Sequence, residues 1–408
     1  MLAPTDMLRL SAGALGSHRL RTALTMLGLA IGVATLITVV TLIQGANQYV
    51  ETKIANLGTD VFQVGQMPFA TTDFELVMKS LKFKHITSED YNAIREQCRD
   101  CRMVGATAAA STHAKLGTED VTDVNLIGQT QNMGDIDTRT VEGGRYFSPV
   151  EEQRATRVCV IGNTLRERLF GGGDPVGKTL RLAGQEFTVV GYYEKFGTIL
   201  GQDADNYAVI PMTAFLQTEG ARISQIINIR VPGDPAAFER AQDEVRQLMR
   251  ARRHVAPNQD DDFFFGTKDA YISLWDQISG AFFTVFIFVS AVSALVGGIV
   301  IMNVMLVSVS ERTKEIGVRR AVGAAASDIL RQFLVESVLQ CLAGGTAGIA
   351  VGFLCAELLR RFTSFPAAVK WQVAVLGVAL SSAIGLFFGI YPARRAARLD
   401  PVEALRSE

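Results

Sequence analysis

The sequence predicts a membrane protein with four transmembrane α-helices and one large α+β domain outside the bilayer. Apolar runs of membrane length fall within residues 22–43, 277–310, 333–357 and 371–392, and about 20 such residues let a helix cross the hydrocarbon core. Residues 44–276 instead carry charges every few positions and hold no run of that length. Basic residues beside the runs are unevenly shared. Arg9, Arg19, Arg21, Arg312, Lys314, Arg319, Arg320, Arg331, Arg394, Arg395, Arg398 and Arg406 gather on one side, against Lys53, Arg360, Arg361 and Lys370 on the other. The positive-inside rule then places both termini and residues 311–332 in the cytoplasm and residues 44–276 outside.

Composition agrees with a mixed architecture. The chain has 408 residues, 48% of them hydrophobic, and a mean hydropathy of +0.21, too apolar for an ordinary soluble enzyme and too polar for membrane throughout. A formal net charge of -1 argues against a nucleic-acid partner, which calls for a basic face. Five Cys in this length exclude a disulfide-dense scaffold.

Residues 1–21 read as a cytoplasmic amphipathic helix, with Leu8, Leu15 and Leu20 set among Arg9, His18, Arg19 and Arg21. Thr22 to Ile43 is the first span, retained as an anchor because no convincing small-residue cleavage site follows it. In residues 44–276, Gln48 to Leu57 reads as a helical stalk and Asp60 to Val64 as a strand. Thr87, followed three positions later by Asp90, opens a helix with capping-box character that runs to about Cys98. Arg157 to Gly162 alternates as a strand, and Asn163 to Phe170 reads as a helix. Thr179 to Leu182 and Glu186 to Tyr193 form a hairpin turning at residues 183–185. Gln225 to Val231 reads as a strand, Asp234 to Arg252 as a long amphipathic helix, and Asp262 to Gly266 as a strand feeding the second span. Helices interleaved with strands imply an α+β or α/β domain.

Beyond the second span, residues 311–332 form a charged loop that turns near Gly323 and returns as the third span. It reads as a short charged helix rigidly continuous with two membrane helices, a geometry suited to passing force. Residues 358–370 are a short outer loop and residues 393–408 a cytoplasmic tail. Small residues recur four apart in every span: Gly28 and Gly32; Ser293 with Gly297 and Ala294 with Gly298; Gly344, Gly348 and Gly352; Gly377, Ser381, Gly385 and Gly389. Such stripes let backbones approach closely in lipid, so a packed bundle or dimer is expected rather than a pore. With the third apolar core read as Ser337 to Ala356, no Asp, Glu, Lys or Arg lies mid-span, which argues against an ion relay.

Residues 172–179 (GGDPVGKT) fit the phosphate-loop pattern G-x-x-x-x-G-K-S/T, but the loop requires a strand before it and a helix after it. Here the order is reversed and Pro175 removes an amide, so a turn is expected. Cys98 and Cys101 have redox or zinc-ligand spacing without a second matching pair, leaving a local disulfide or two free thiols ahead of a zinc site with His85 or His113. Asp260, Asp261 and Asp262 read as a solvated turn ahead of a cation site. Neither the four His nor the Ser and Asp placement suggests a hydrolytic triad. No active site is expected.

Four stretches give the chain a likeness to a known family. They are Arg21 to Gly32 (RTALTMLGLAIG), Gly173 to Leu182 (GDPVGKTLRL), Glu311 to Ala324 (ERTKEIGVRRAVGA) and Tyr391 to Leu405 (YPARRAARLDPVEAL). Through them the chain resembles the MacB/FtsX-type permeases of ABC transporters. The resemblance implies a bacterial inner-membrane protein acting as a homodimer or paired permease. It also implies an outer domain split into a porter-like part and a small inserted subdomain, apolar faces against membrane lipid, and scope for a periplasmic adaptor. No catalytic, metal or cofactor residue is implied in this chain, because ATP and Mg belong to a partner ATPase. Macrolide exporters of this type carry that ATPase at their N-terminus, whereas about twenty residues precede the first span here, so a separate chain is expected. Its contacts fall, by resemblance, on Glu311, Arg312, Glu315, Gly317, Arg319, Arg320 and Gly323. The expected function is efflux or extraction of an amphipathic drug, peptide, lipid or lipoprotein; the alternative is FtsX-like signalling to an outer partner without transport.

Overall fold

The computed structural model describes residues 19–53, 60–199, 202–362 and 371–406. Two compact units emerge, one from Met1–Gln48 with Ile278–Glu408 and the other from Tyr49–Gln277. Helix α1 (Arg19–Lys53) leads from the first into the second.

The Tyr49–Gln277 unit is built on one mixed sheet. Its first elements are β1 (Val61–Gly65), α2 (Phe74–Ser80), α3 (Ser88–Gln97) and the long strands β2 (Met103–Leu116) and β3 (Glu119–Gln129). Then come α4 (Met133–Ile136), β4 (Val141–Gly144), α5 (Pro149–Gln153), β5 (Val158–Ile161), α6 (Asn163–Phe170), β6 (Thr179–Leu182) and β7 (Gln185–Tyr193). A small ribbon, β8 (Thr198–Ile199) with β9 (Gln202–Asp203), precedes β10 (Tyr207–Pro211), α7 (Met212–Glu219), β11 (Ile226–Arg230), α8 (Pro235–Arg253) and β12 (Phe264–Thr267). The strand order is β12-β1-β11-β2-β3-β10-β5-β7-β4, with β6 bonded to both β2 and β7. One half of the sheet comes from the two ends of this unit. The other is inserted between β2 and β11 in sequence, and the β2–β3 hairpin joins them.

Local chemistry explains several boundaries. Asp90 accepts the Thr87 amide at 3.1 Å, closing the capping box of α3. Helix α8 buries Ala237, Ala241, Val245 and Met249, a four-residue stripe facing the core. Its basic C-terminal turn suits the negative end of the helix dipole and takes up the acidic run: Arg250 reaches Asp261 at 2.5 Å and Arg253 reaches Asp262 at 2.6 Å. Those two carboxylates are committed to arginines. In the hairpin, Leu182 pairs directly with Gln185, so the turn is the two residues Ala183 and Gly184, both with positive φ.

The phosphate-like loop is a turn between α6 and β6. Gly177 spends its amide on Val189 O at 2.8 Å, Lys178 donates its own to Pro175 O at 3.1 Å, and the Lys178 ammonium lies over the Phe170 ring. Backbone donors needed for a phosphate cradle are therefore used internally. Cys98 and Cys101 are joined as a disulfide; Glu244 of α8 accepts the Arg99 and Asp100 amides of the loop they close.

Helix α9 (Lys268–Glu311) starts in this unit and continues into the other, where α10 (Thr313–Ala321), α11 (Ala326–Phe362), α12 (Trp371–Ala397) and α13 (Pro401–Arg406) follow. Helices α1, α9, α11 and α12 are each long and apolar enough to cross a membrane. The small residues lie where these helices meet. On α1, Gly28 faces Gly297 and Gly32 faces Ser293 of α9. A Cβ on Gly344, Gly348 or Gly352 of α11 would stand 3.2 Å from Met26 O, 2.6 Å from Ala30 O or 3.1 Å from Ala34 O of α1. Gly377, Gly385 and Gly389 of α12 face Ile349, Cys341 and Ser337 of α11, with Ser381 against Gly345, and Gly298 lies under the Phe388 ring.

Five sequence expectations need correction. Residues 103–129 hold the two longest strands, and no element was expected there. The second and third spans are longer than read, because α9 starts at Lys268, where Thr267 Oγ1 accepts the Ala270 amide, and α11 runs from Ala326. The charged helix is not rigidly continuous with its neighbours, since Arg312 leaves the helical conformation. Glu336 lies inside α11, buried. The tail carries its own helix, α13. The stalk is helical as far as Lys53, while residues 54–59, the N-terminal helix up to residue 18 and the outer loop from residue 363 to 370 lie outside the described residues.

A matched pair of substitutions tests the close packing. Gly348→Leu should lower thermal stability in detergent by about 1–3 kcal/mol, because the obstacle is the backbone of α1. Gly280→Leu, with nothing within 4 Å of its added Cβ, should leave the melting temperature unchanged.

Candidate functional site

The site grows from two helix breaks. At the first, Arg312 (φ -102°, ψ 16°) separates α9 from α10. Thr313 turns its hydroxyl back onto Val309 O at 3.1 Å and Ser310 O at 2.9 Å, the backward bonding that bends helices. At the second, Gly323 has φ +103°. The amides of Gly323 and Ala324 donate to Arg320 O and Arg319 O. This is a Schellman ending, whose left-handed residue is best filled by glycine. Asp328 then accepts the Ala325 amide at 3.3 Å to start α11.

Inward-facing groups fix α10. Arg319 donates to Glu315 at 2.5 Å and to Gln332 of α11 at 2.8 Å. Arg320 reaches Ala324 O at 3.4 Å. Arg312 reaches Glu336 of α11 at 3.5 Å, with side-chain exposures of 27% and 3%. Ile316 and Gly317 are buried, and a Cβ on Gly317 would meet the Cβ of Ala404 at 2.7 Å. Helix α13 therefore lies against α10 at its glycine. Asp400 supports α13 by accepting the Val402 amide at 2.8 Å, and Ala393, Ala396 and Leu399 tie the preceding segment to the core around Ile316, Ile329 and Phe333.

What remains outward is a mixed surface. At the end of α9, on α10 and in the turn after it, Glu311, Lys314, Glu315, Val318, Val322 and Gly323 are exposed, Val322 to 85%; on α13, Val402, Glu403 and Leu405 are exposed. Val318, Val322, Val402 and Leu405 thus stand exposed among charged side chains. Of the seven residues expected to make the coupling contacts, Glu311, Glu315 and Gly323 are exposed, while Arg312, Arg319 and Arg320 hold the fold and Gly317 seats α13. The sequence reading missed Glu336, Gln332 and the α13 contribution. Glu336 had a signal, an acid next to an apolar core, but it fell one residue outside the core as drawn.

Comparison with known proteins adds two matches to family models. Residues 22–248 match the MacB-like periplasmic core domain, and residues 287–401 match the FtsX-like permease C-terminal model. The chain is 34% identical over 405 residues to a macrolide export ATP-binding/permease protein MacB of Bdellovibrio bacteriovorus, covering 97% of this chain and 60% of that protein. It is 31% identical over 402 residues to MacB of Neisseria gonorrhoeae, covering 98% and 60%. It is also 31% identical over 411 residues to the uncharacterized ABC transporter permease YknZ of Bacillus subtilis, covering 98% of both chains. Thus the chain spans about three-fifths of the macrolide relatives' length and nearly all of YknZ.

The Arg312–Glu336 pair predicts an asymmetry. Arg312→Ala strands a buried carboxylate and should cost about 1–3 kcal/mol, whereas Glu336→Gln leaves a partly solvated guanidinium and should cost less. Thermal unfolding of the two variants in one detergent checks the order.

Proposed function

Since the chain belongs to the MacB-like and FtsX-like family of ABC-transporter permeases, we propose that it is the non-catalytic membrane subunit of a transporter whose ATPase is a separate polypeptide. The YknZ relative, a permease matched along almost its whole length, supports the separate motor. The docking surface is the outward face of α10 with α13, so the motor meets Val318, Val322, Val402 and Leu405 as well as the charges at Glu311, Lys314 and Glu315. The observation that carries this reading is Val322, a large apolar side chain at 85% exposure on a turn that Gly323 holds in place.

Arg-rich flanks place this surface and both termini in the cytoplasm and the Tyr49–Gln277 unit outside. ATP-driven movement of α10 passes to α11 through Arg312–Glu336 and Arg319–Gln332 and to α9 through the backbone at Arg312, and α9, a single helix from Lys268 to Glu311, carries it toward the outer domain. The transported substrate is amphipathic, a class to which macrolides belong, and the working unit is a homodimer that can engage a periplasmic adaptor.

Val322→Asp should abolish co-purification of the ATPase while membrane insertion stays normal; a complex that survives would remove this surface from the interface. Lys178→Ala should leave transport-coupled ATP hydrolysis by the assembled complex within about twofold of wild type, because less than about 0.4 kcal/mol is at stake. The permease purified alone should hydrolyse no ATP.

A further inference from the structure

The Cys98–Cys101 disulfide has no part in the transport role, and it closes a loop at the end of α3 with only Arg99 and Asp100 between its two residues. So short a loop restrains the unfolded chain little, because the stabilisation from a cross-link grows with the length it encloses. The loop is also pinned without the bond. The Cys98 amide donates to Ile94 O at 3.0 Å and the Arg102 amide to Arg230 O at 2.9 Å. Glu244 of α8 accepts the Arg99 and Asp100 amides at 3.0 and 3.3 Å, and Arg240 meets Asp100 at 3.3 Å. These contacts hold the loop in place whether or not the two sulfurs are joined.

One contact changes character with redox state. Glu244 Oε2 stands 3.4 Å from Cys98 Sγ. In the disulfide that sulfur has no proton to give; as a thiol it donates to the carboxylate, a charge-assisted hydrogen bond. Both cysteines are only half-buried, and Arg99 and Arg102 beside them are exposed, so an incoming thiolate meets a basic approach. Cys98 itself ends α3, at the negative end of the helix dipole, and faces Glu244, so a thiolate is disfavoured there. The pair therefore suits the recipient of thiol–disulfide exchange and not an oxidoreductase centre.

We propose that Cys98–Cys101 is a reversible redox site opened by an external dithiol, with Glu244 stabilising the reduced form through the Cys98 thiol. One thiolate of the reagent attacks Cys101 Sγ and forms a mixed disulfide. The bond between the two cysteines breaks, and its electron pair goes to Cys98, which takes a proton from solvent and donates it in a hydrogen bond to Glu244. The reagent's second thiolate then attacks its own sulfur in the mixed disulfide, and Cys101 leaves with the electron pair and is protonated in turn. The protein gains two electrons and two protons while the dithiol becomes a disulfide. The site lies wholly in the Tyr49–Gln277 unit, and its chemistry does not depend on the identity of the motor.

The test equilibrates the full-length chain in detergent at pH 7 with mixtures of reduced and oxidised dithiothreitol. Acid quenching and denaturing alkylation with a maleimide-polyethylene glycol then separate a chain with three free thiols from one with all five. Wild type should pass reversibly from three to five, and the reduced chain should still unfold cooperatively on heating. Glu244→Gln should lower the equilibrium constant for reduction at least about threefold, because a neutral acceptor bonds the thiol about half as strongly. Glu239→Gln, an exposed carboxylate elsewhere on α8, should leave it within about twofold, its charge being screened by solvent. If Glu244→Gln fails to fold, Glu244→Asp, one methylene shorter, should shift the equilibrium in the same direction. A disulfide that opens only when the chain unfolds, or a Glu244 variant that folds and matches wild type, would overturn the proposal.

Discussion

Backbone-to-backbone contact between α1 and α11 is the constraint on which the membrane unit depends. Lipid supplies no hydrophobic drive for helices to associate, so contact area and carbonyl packing must hold them. At Gly344 and Gly348 the space for a side chain is taken first by carbonyl groups of α1, and at Gly352 by the Ile37 side chain with the Ala34 carbonyl beside it. Helix α11 then uses a second face for α12, where Ser337 donates to Gly385 O at 3.1 Å. With both faces committed, α11 is the fixed member against which α10 can be positioned. Arg312 and Arg319 anchor to it through Glu336 and Gln332.

This arrangement changes the meaning of the arginines in the charged loop. A basic loop beside a membrane span is commonly a topology signal, and the family resemblance implies ATPase contacts at Arg312, Arg319 and Arg320 alike. Side-chain geometry divides them instead. Arg312 and Arg319 serve intramolecular bonds, Arg320 leans back on the turn, and the outward surface is left to Lys314, two glutamates and several aliphatic residues. The helix is also a separate piece between two breaks, at Arg312 and Gly323, tied to α11 by the Arg312 and Arg319 side chains.

Much of the fold was legible because local signals and tertiary structure agree. Helix α6 begins and ends where its sequence says, with Gly171 in the left-handed conformation at its end. The same holds for α3 with its capping box and α8 with its stripe of four-spaced core residues. Strand β2 was illegible because Ala106, Ala108, Ala109 and Ala110 are weak strand formers whose pairing with β3 is imposed by the sheet. In β3 the alternation loses phase near Asp123, which has a positive φ, so the buried Val121 and Val124 stand three apart instead of two. The start of α9 was hidden for another reason. Its first turns are polar, and hydropathy sees where lipid begins, which is not where a helix begins. Glu336 escaped by the same confusion of the two boundaries.

The pattern G-x-x-x-x-G-K-S/T can be satisfied by a plain reverse turn, and here it is the hydrogen-bond use of the amides, not the letters, that separates the two. The seating of Ala404 on Gly317 has a practical side. Because the last described helix packs on α10 at Gly317, an affinity handle grafted directly after it would crowd the exposed side of α10. Complexes are better captured through a label carried elsewhere on the chain.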